Sequence, residues 1–207
     1  MNEHQNPTQP HRDQFVYTAP LLNQLRSSQP ISVQRRPWAL IILRELLHVG
    51  IIVAVMYVLI NLLVPRFLVE GTSMEPTFHN QERVVVSRID YMFGQPHRGD
   101  VIVFNHSENT FLIKRIVGLP GESVVLKDGK VYINDVWLKE TYTEGVCVSR
   151  SCNDTTWLLG GDEYFVLGDN RTSSMDSHNF GPIRLSQIVG KVRMRYWPLD
   201  QFVWMSG

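Results

Sequence analysis

The chain has 207 residues with 20 basic and 20 acidic side chains, so its formal net charge at pH 7 is zero. This length allows one domain of ordinary size together with short appendages. The balanced charge, without a basic stripe interleaved with aromatic residues, gives no indication of nucleic-acid binding. The seven histidines and two cysteines lack the spacing of a metal site, and no glycine-rich phosphate loop follows a strand-like segment, so we expect neither a metal nor a cofactor.

The first 37 residues form a polar N-terminal segment. They are rich in Gln, Asn, Ser and Pro and contain few large apolar residues. Such a composition cannot bury enough apolar surface to offset the conformational entropy that folding removes. We therefore expect residues 1–37 to form a disordered tail in the cytosol.

An apolar run follows from Leu46 to Val64, in which only His48 and Asn61 are strongly polar. As a helix its 19 residues would span about 28 Å, close to the thickness of the hydrocarbon core of a bilayer. The run lies far from Met1 and lacks a small-residue cleavage site, so it predicts a retained anchor, within residues 38–65, in contact with the lipid bilayer. A buried helix of a soluble domain is the alternative interpretation.

The arginines on either side of this run indicate its orientation. Among the arginines nearest the run, four lie on its N-terminal side and two on its C-terminal side: Arg26, Arg35, Arg36 and Arg44, against Arg66 and Arg83. Basic residues favour the cytoplasmic side of a membrane. We therefore expect a single-pass protein of the cell membrane, with a cytoplasmic N-terminus and residues 66–207 on the extracytoplasmic side.

The segment Gly71–Thr77 begins a few residues after the apolar run and holds Ser73 among Gly, Thr and Pro residues. A turn of this composition can expose the serine Oγ as a nucleophile. A serine hydroxyl reacts only when a proton acceptor lies within hydrogen-bond reach. The rest of the chain must therefore supply a base.

From Arg83 onward short strand-like segments alternate with turn signals such as Asp128-Gly129. The predicted strands are Arg83–Arg88, Val101–Phe104, Phe111–Val117, Ser123–Lys127, Lys130–Ile133, Glu163–Leu167 and Val189–Trp197. Many short strands with Gly-rich connections predict a mainly β domain. We expect Glu140–Gly161 to be an insertion or a long loop.

Lys114 differs from the other four lysines in its predicted surroundings. Strand alternation places it beside Leu112 and Ile116 on an apolar face, where burial would lower the pKa of its ammonium group and make it a base. The others lie in polar surroundings: Lys127 and Lys130 beside the predicted turn, Lys139 in a polar stretch, and Lys191 on a polar strand face with Arg193 and Arg195. A strand lysine that extends to water remains the alternative for Lys114.

Cys147 and Cys152 bracket four residues of a polar segment. This spacing suits a small disulfide in an oxidising compartment, which agrees with the predicted orientation. Two free surface thiols are the alternative.

The segment Gly168–Pro182 follows a predicted strand and is dense in Gly, Asx and Ser residues. Together with three earlier segments it resembles the bacterial type I signal peptidases, which are membrane-bound serine proteases. The matching segments occur in the family's order: Gly71–Thr77, Arg98–Phe104, Ile113–Glu122 and Gly168–Pro182. The resemblance covers roughly residues 45–200.

The resemblance implies a role for several of these residues. Ser73 would be the nucleophile and Lys114 the general base, while Ser174 matches a serine whose hydroxyl orients the lysine amine. Arg115 and Asp169 would form a structural ion pair, and Arg171 and Asp176 would hold the loop in shape. The Ser73 N–H would be one oxyanion donor, but Gly71 stands where some members have a serine that supplies a second.

The resemblance also implies an antiparallel coiled-sheet catalytic domain with its site near the membrane surface. An extended signal peptide would pair with the strand edges Phe67–Ser73 and Phe111–Lys114. Five residues would line its pockets and favour small residues one and three positions before the cut: Val69, Met74, Phe78, Leu112 and Ile113. A plain role in the hydrophobic core is the alternative for each.

These features predict a membrane-anchored serine endopeptidase that removes signal peptides from exported preproteins without a cofactor. A second enzyme hypothesis makes His178, with Asp176 or Asp169, the base of a Ser–His–Asp triad. A third hypothesis is an inactive anchored β domain that binds exported peptides, and a fourth is a self-cleaving protease of the repressor type.

Overall fold

The computed structural model describes residues 37–108, 110–143 and 155–205. The described chain divides into two units between Val49 and Gly50. The helices are α1 (Trp38–Leu63), α2 (Ile89–Phe93) and α3 (Ser177–Phe180). The strands are β1 (Arg66–Leu68), β2 (Arg83–Ser87), β3 (Val101–Ser107), β4 (Thr110–Gly118), β5 (Ser123–Lys127), β6 (Lys130–Ile133), β7 (Val136–Trp137), β8 (Thr155–Leu158), β9 (Glu163–Leu167), β10 (Ile183–Arg184), β11 (Ile188–Trp197) and β12 (Val203–Trp204).

Helix α1 has the length and composition of a membrane span. The helix has 26 residues, an 18-residue stretch of it has a mean hydropathy of 2.5, and none of its side chains is buried. At 1.5 Å per residue the helix is about 39 Å long, more than a hydrocarbon core requires. The helix begins at Trp38, eight residues before the predicted run, because Arg44 and Glu45 interrupt the apolar pattern without ending the helix.

The β domain consists of two antiparallel sheets. The larger has the order β1-β2-β11-β3-β4-β9-β10, with β12 also paired to β11, and the smaller has the order β7-β6-β5-β8. The prediction of a mainly β domain after one N-terminal apolar helix is confirmed. All seven predicted strands are present, and those at 123–127, 130–133 and 163–167 have the predicted bounds.

The expectation for Glu140–Gly161 was partly wrong. Its described C-terminal part contains β8, which pairs with β5 in the register Ser123↔Leu158. Trp157 of β8 packs against Phe165 with ring centroids 4.7 Å apart, and this contact anchors the strand on the core beneath the small sheet. The strand was missed because its sequence, Thr-Thr-Trp-Leu, does not alternate: the apolar Leu158 is on the exposed face.

The prediction for Lys191 also needs correction, since this lysine is buried. Its Nζ lies 2.6 Å from Asp100 Oδ1, and only 8% of the residue is exposed. The polar face of β11 does carry charges, but acidic groups from neighbouring segments cover it. Arg193 and Arg195 pair in the same way, with Asp90 and Glu82.

Candidate active site

Ser73 lies on a turn that connects β1 to β2 and is fixed on both sides. Before the turn, Gly71 adopts a φ of +91° and its N–H donates to Asn80 Oδ1 at 3.0 Å. After it, Met74 and Phe78 are fully buried in the core with Val84 and Val86. These apolar anchors hold the backbone of the turn, so the position of the Ser73 hydroxyl is fixed by packing.

Lys114 lies on β4, opposite Ile102 of β3, and its amine reaches this turn. Its Nζ donates to Ser73 Oγ at 2.7 Å and to the Ile113 carbonyl oxygen at 2.9 Å. Only 2% of the residue is exposed. Burial lowers the pKa of Lys114 to about 8, although the negative charges of Asp176 and Asp169 oppose the change.

The Gly168–Asp176 loop closes over the other side of Ser73. The Asn170 N–H donates to the Ser73 carbonyl oxygen at 3.1 Å, and the Asn170 side chain donates to the Thr72 carbonyl oxygen at 3.2 Å. A Cβ atom at Gly168 would lie 2.2 Å from Ser174 Oγ and 2.4 Å from the Ser73 carbonyl oxygen. Only glycine permits this approach of the loop to the serine turn.

Ser174 is in this loop, and its Oγ is buried without a hydrogen-bond partner among the described residues. The two hydrogen bonds of Lys114 go to Ser73 and Ile113 instead. The hydroxyl therefore lies beside Gly168, but it makes no hydrogen bond to the lysine amine in the described part of the chain.

Arg115 and Asp169 form a bidentate ion pair one residue from Lys114. Arg115 Nε lies 2.8 Å from Asp169 Oδ1, and Nη2 lies 2.6 Å from Oδ2. The Thr77 hydroxyl donates to Asp169 Oδ2 at 2.5 Å. The pair thus joins β4, the loop and the serine turn. Thr77 and Asn170 were missed in the sequence, where both belong to the matching segments but carry no pattern of their own.

Arg171 and Asp176 both bind the backbone of Gly168. Arg171 Nε donates to the Gly168 carbonyl oxygen at 3.0 Å, and the Gly168 N–H donates to Asp176 Oδ2 at 2.9 Å. Asp176 also caps α3 by accepting from the His178 N–H. These contacts fix both ends of the loop.

His178 is directed away from Ser73. Its Nδ1 contacts Asp176 Oδ1, and the residue lines a small cavity together with Leu126 and Val131 of the β5–β6 hairpin. Within the described residues the hydrogen-bond partner of Ser73 Oγ is Lys114. Among the described residues, therefore, Ser73 and His178 make no hydrogen bond to each other.

A cavity of about 110 Å³ adjoins the two side chains. Three of the five predicted pocket residues line it, namely Val69, Leu112 and Ile113. Met74 and Phe78 do not line it, because they are packed in the core below the turn. The other lining residues are Phe67, Leu68, Glu70, Ser73, Val84, Val103, Phe111 and Lys114.

Two strand edges flank this cavity. β1 is the terminal strand of its sheet and pairs only with β2. On β4, residues 110–114 pair with β3, while β9 pairs with the strand only from Arg115 onward. In the described parts of the chain, both edges have backbone groups available for a further strand.

The described residues contain no group of three His, Cys, Asp or Glu side chains that could hold a metal ion. Cys147 and Cys152, the predicted disulfide, lie outside the described residues.

Comparison with known proteins gives a consistent result. A family model described as signal peptidase, peptidase S26, matches residues 42–197. A signal peptidase IB of Staphylococcus aureus strain COL is 32% identical over 176 residues, which cover 78% of this chain and 92% of the relative. A signal peptidase I of Bacillus caldolyticus is 37% identical over 148 residues, which cover 66% and 81%.

The crystal structure of a signal peptidase I from Enterococcus faecalis V583 is 34% identical and has a TM-score of 0.41, covering 47% of this chain and 96% of that one. Because the family model matches well over half of the residues, the chain belongs to the signal peptidase family, peptidase S26, whose members are serine endopeptidases.

Proposed function

We propose that this chain removes signal peptides from exported preproteins through an acyl-enzyme on Ser73, with Lys114 as the general base. The observation that carries this proposal is the 2.7 Å contact between Lys114 Nζ and Ser73 Oγ. A lysine amine is a base only when it is neutral, and the buried Lys114 has a pKa of about 8. A substantial fraction of the amine is therefore neutral in mildly alkaline solution.

The reaction follows from this contact. When Lys114 is neutral, the Ser73 hydroxyl donates its proton to Nζ while Oγ attacks the carbonyl carbon of the scissile bond. The ammonium then returns the proton to the departing nitrogen, which becomes the N-terminus of the mature protein. The signal peptide remains as an ester on Ser73 until Lys114 takes a proton from a water molecule that attacks the ester.

The negative oxygen that forms during each attack needs hydrogen-bond donors. The Ser73 N–H makes no hydrogen bond to the described part of the chain, so it is available as one donor. Gly71 contributes no side chain that could supply the second. We assign Ser174, Arg115, Asp169, Arg171 and Asp176 to positioning the pair.

The substrate would bind as an extended strand between β1 and β4. Backbone groups on the two free edges would provide affinity, and the cavity would provide selectivity. A volume of about 110 Å³ among Val69, Leu112 and Ile113 leaves room for small side chains such as alanine. This supports a preference for small residues one and three positions before the cut, with Met74 and Phe78 supporting the turn from the core.

We further propose that α1 anchors the chain in the cell membrane, with residues 1–37 in the cytosol and residues 66–207 outside. The length and exposed apolar surface of α1 support the anchor. The excess of arginine before the helix supports the orientation.

The test is cleavage of a preprotein by the purified full chain in detergent, with sequencing of the new N-terminus. We expect one new N-terminus, after a small residue, and no product from the Ser73→Ala or Lys114→Ala variants. Processing by Ser73→Ala at the unmodified rate contradicts the proposed nucleophile. Binding of the preprotein without any cleavage by the unmodified chain would favour the peptide-binding hypothesis instead.

A further inference from the structure

A short segment outside the Ser73–Lys114 pair contacts both arginines that hold the Gly168–Asp176 loop. We call Glu140–Tyr142 the brace segment. Glu140 accepts two hydrogen bonds from Arg171, each at 2.6 Å, and these two side chains are almost completely buried. The Tyr142 hydroxyl donates to the same carboxylate at 2.8 Å. A buried, bidentate pair of this kind fixes both partners geometrically.

The other face of the brace segment contacts Arg115. The Arg115 Cζ lies 4.0 Å from the centroid of the Tyr142 ring, a cation–π distance. Arg115 directly follows Lys114 on β4 and forms the bidentate pair with Asp169. Tyr142 thereby connects the two arginines, because its ring contacts one and its hydroxyl binds the carboxylate that holds the other.

Each arginine in turn contacts the loop that packs on Ser73. Arg171 binds the Gly168 carbonyl oxygen, and Gly168 lies so near the serine turn that an added Cβ would be 2.4 Å from the Ser73 carbonyl oxygen. Arg115 binds Asp169, whose neighbour Asn170 donates to the Ser73 carbonyl oxygen. A shift of either arginine therefore moves the loop against the serine turn.

We propose that Glu140 and Tyr142 are positioning residues for the Ser73–Lys114 pair. The brace segment fixes Arg171 and Arg115, and through them it sets the geometry of the loop and the charge around the lysine amine. The proposal rests on the proposed function of this pair. Neither residue touches the reacting atoms, so each acts through the two arginines.

The charges near Lys114 give the proposal a measurable signature. Asp176 and Asp169 both raise the pKa of Lys114, while Arg115 neutralises Asp169. Loss of the Tyr142 ring would loosen Arg115, so that Asp169 raises the pKa of Lys114 more strongly. The ascending limb of the pH profile of kcat/KM would then move to higher pH. Loss of the Glu140 charge would leave the Arg171 charge free to offset Asp176 and move the limb to lower pH.

Three variants of the full chain test the brace: Tyr142→Ala, Tyr142→Phe and Glu140→Gln. We expect kcat to fall about tenfold or more in Tyr142→Ala and Glu140→Gln with KM little changed, because small misplacements of reacting groups are costly. Tyr142→Phe keeps the ring on Arg115, so we expect its limb to stay in place and its kcat to fall only about threefold. Trp137→Ala is the control, since it also removes an aromatic ring shortly before the brace segment, and the cation–π partners of that ring among the described residues are Lys130 and Lys139.

Opposite shifts of the ascending limb in Tyr142→Ala and Glu140→Gln would support the proposed role of the brace segment. A purely structural effect would not produce them, because a smaller folded fraction lowers the rate without moving the limb. A kcat within about twofold of the unmodified chain and an unmoved limb in both variants would overturn it. If Tyr142→Ala does not fold, Glu140→Gln decides by the same criteria. The Ser73→Ala variant is measured alongside, and its activity would contradict the proposed function rather than the brace.

Discussion

Lys114 and Lys191 are both buried in the β domain, but their partners differ. Lys191 lies 2.6 Å from the carboxylate of Asp100, and this negative charge compensates for burial of the ammonium group. Lys114 has a serine hydroxyl and a carbonyl oxygen as partners, neither of which carries a charge. Burial without a directly paired negative charge lowers the pKa of an amine, and this difference supports the proposed role of Lys114 as the base.

The pH dependence of activity tests this assignment. Because the pKa of Lys114 is about 8, we expect kcat/KM to rise through that pH as the amine loses its proton. A histidine base would reach its plateau near neutrality. We expect the His178→Ala variant to retain the rise of kcat/KM near pH 8, as measured by initial rates of peptide cleavage. If His178→Ala lost this rise while Lys114→Ala remained active, the base would be His178.

The same burial predicts a gain in stability when the amine is removed. Lowering the pKa of Lys114 from 10.5 to about 8 costs roughly 3 kcal/mol of folding free energy below pH 8, where both states carry the proton. This cost falls as pH rises from about 8 towards 10.5, because only the unfolded chain then remains protonated. We expect Lys114→Met to raise the free energy of unfolding at pH 7 by up to about 3 kcal/mol, and by less at pH 10.

Lys191→Met is the matched comparison for that measurement. It leaves Asp100 buried without its charged partner, so we expect a loss of about 3 kcal/mol. Denaturant unfolding of the purified chain in detergent would measure both variants. A loss of stability in both would show that Lys114 also carries a compensated charge.

At the level of elements, the close approach of the Gly168–Asp176 loop to the serine turn depends on one missing side chain. We expect Gly168→Ala to abolish cleavage and lower the melting temperature, because the added Cβ would overlap Ser174 Oγ and the Ser73 carbonyl oxygen. Gly161→Ala is the control, since nothing lies within 4 Å of its added Cβ. Thermal melting and initial rates test both variants, and normal cleavage by Gly168→Ala would contradict the packing of the loop.

The elements that could be predicted from the sequence are those with a pattern long enough to read. Strands of five or more residues, such as β5 and β9, have clear apolar patterns and were located within one to three residues. The strands that were missed have two to four residues, whereas β6, also of four residues, was located because it directly follows the Asp128-Gly129 turn signal. The proposed site follows the same rule. Ser73 and Lys114 belong to recognisable segments, whereas the role proposed for the brace segment depends on contacts with residues about 30 positions away in the sequence.

For the whole molecule, the short connection between α1 and Ser73 limits how far the site can lie from a membrane. Helix α1 ends at Leu63, and ten residues lead from there to Ser73. A fully extended chain of that length reaches at most about 35 Å. The Leu63 carbonyl oxygen also accepts a hydrogen bond from the Arg88 N–H at 3.0 Å, which ties the end of the helix to the segment after β2. A substrate held in the same membrane would therefore meet the cavity between β1 and β4 close to the bilayer surface.

The proposed orientation gives the last prediction. Protease added to intact cells, or to spheroplasts where an outer membrane is present, should digest exposed loops of residues 66–207 and spare residues 1–37. Arg26, Arg35 and Arg36 before α1, with Arg44 near its N-terminal end, favour retention of that end in the cytosol, where the bilayer shields it. Antibodies against the two ends would identify the fragments, and lysed cells provide the control in which both regions are accessible. Digestion of residues 1–37 with protection of the β domain would show that the orientation is the reverse. The Ser73–Lys114 pair would then lie on the wrong side of the membrane for exported preproteins.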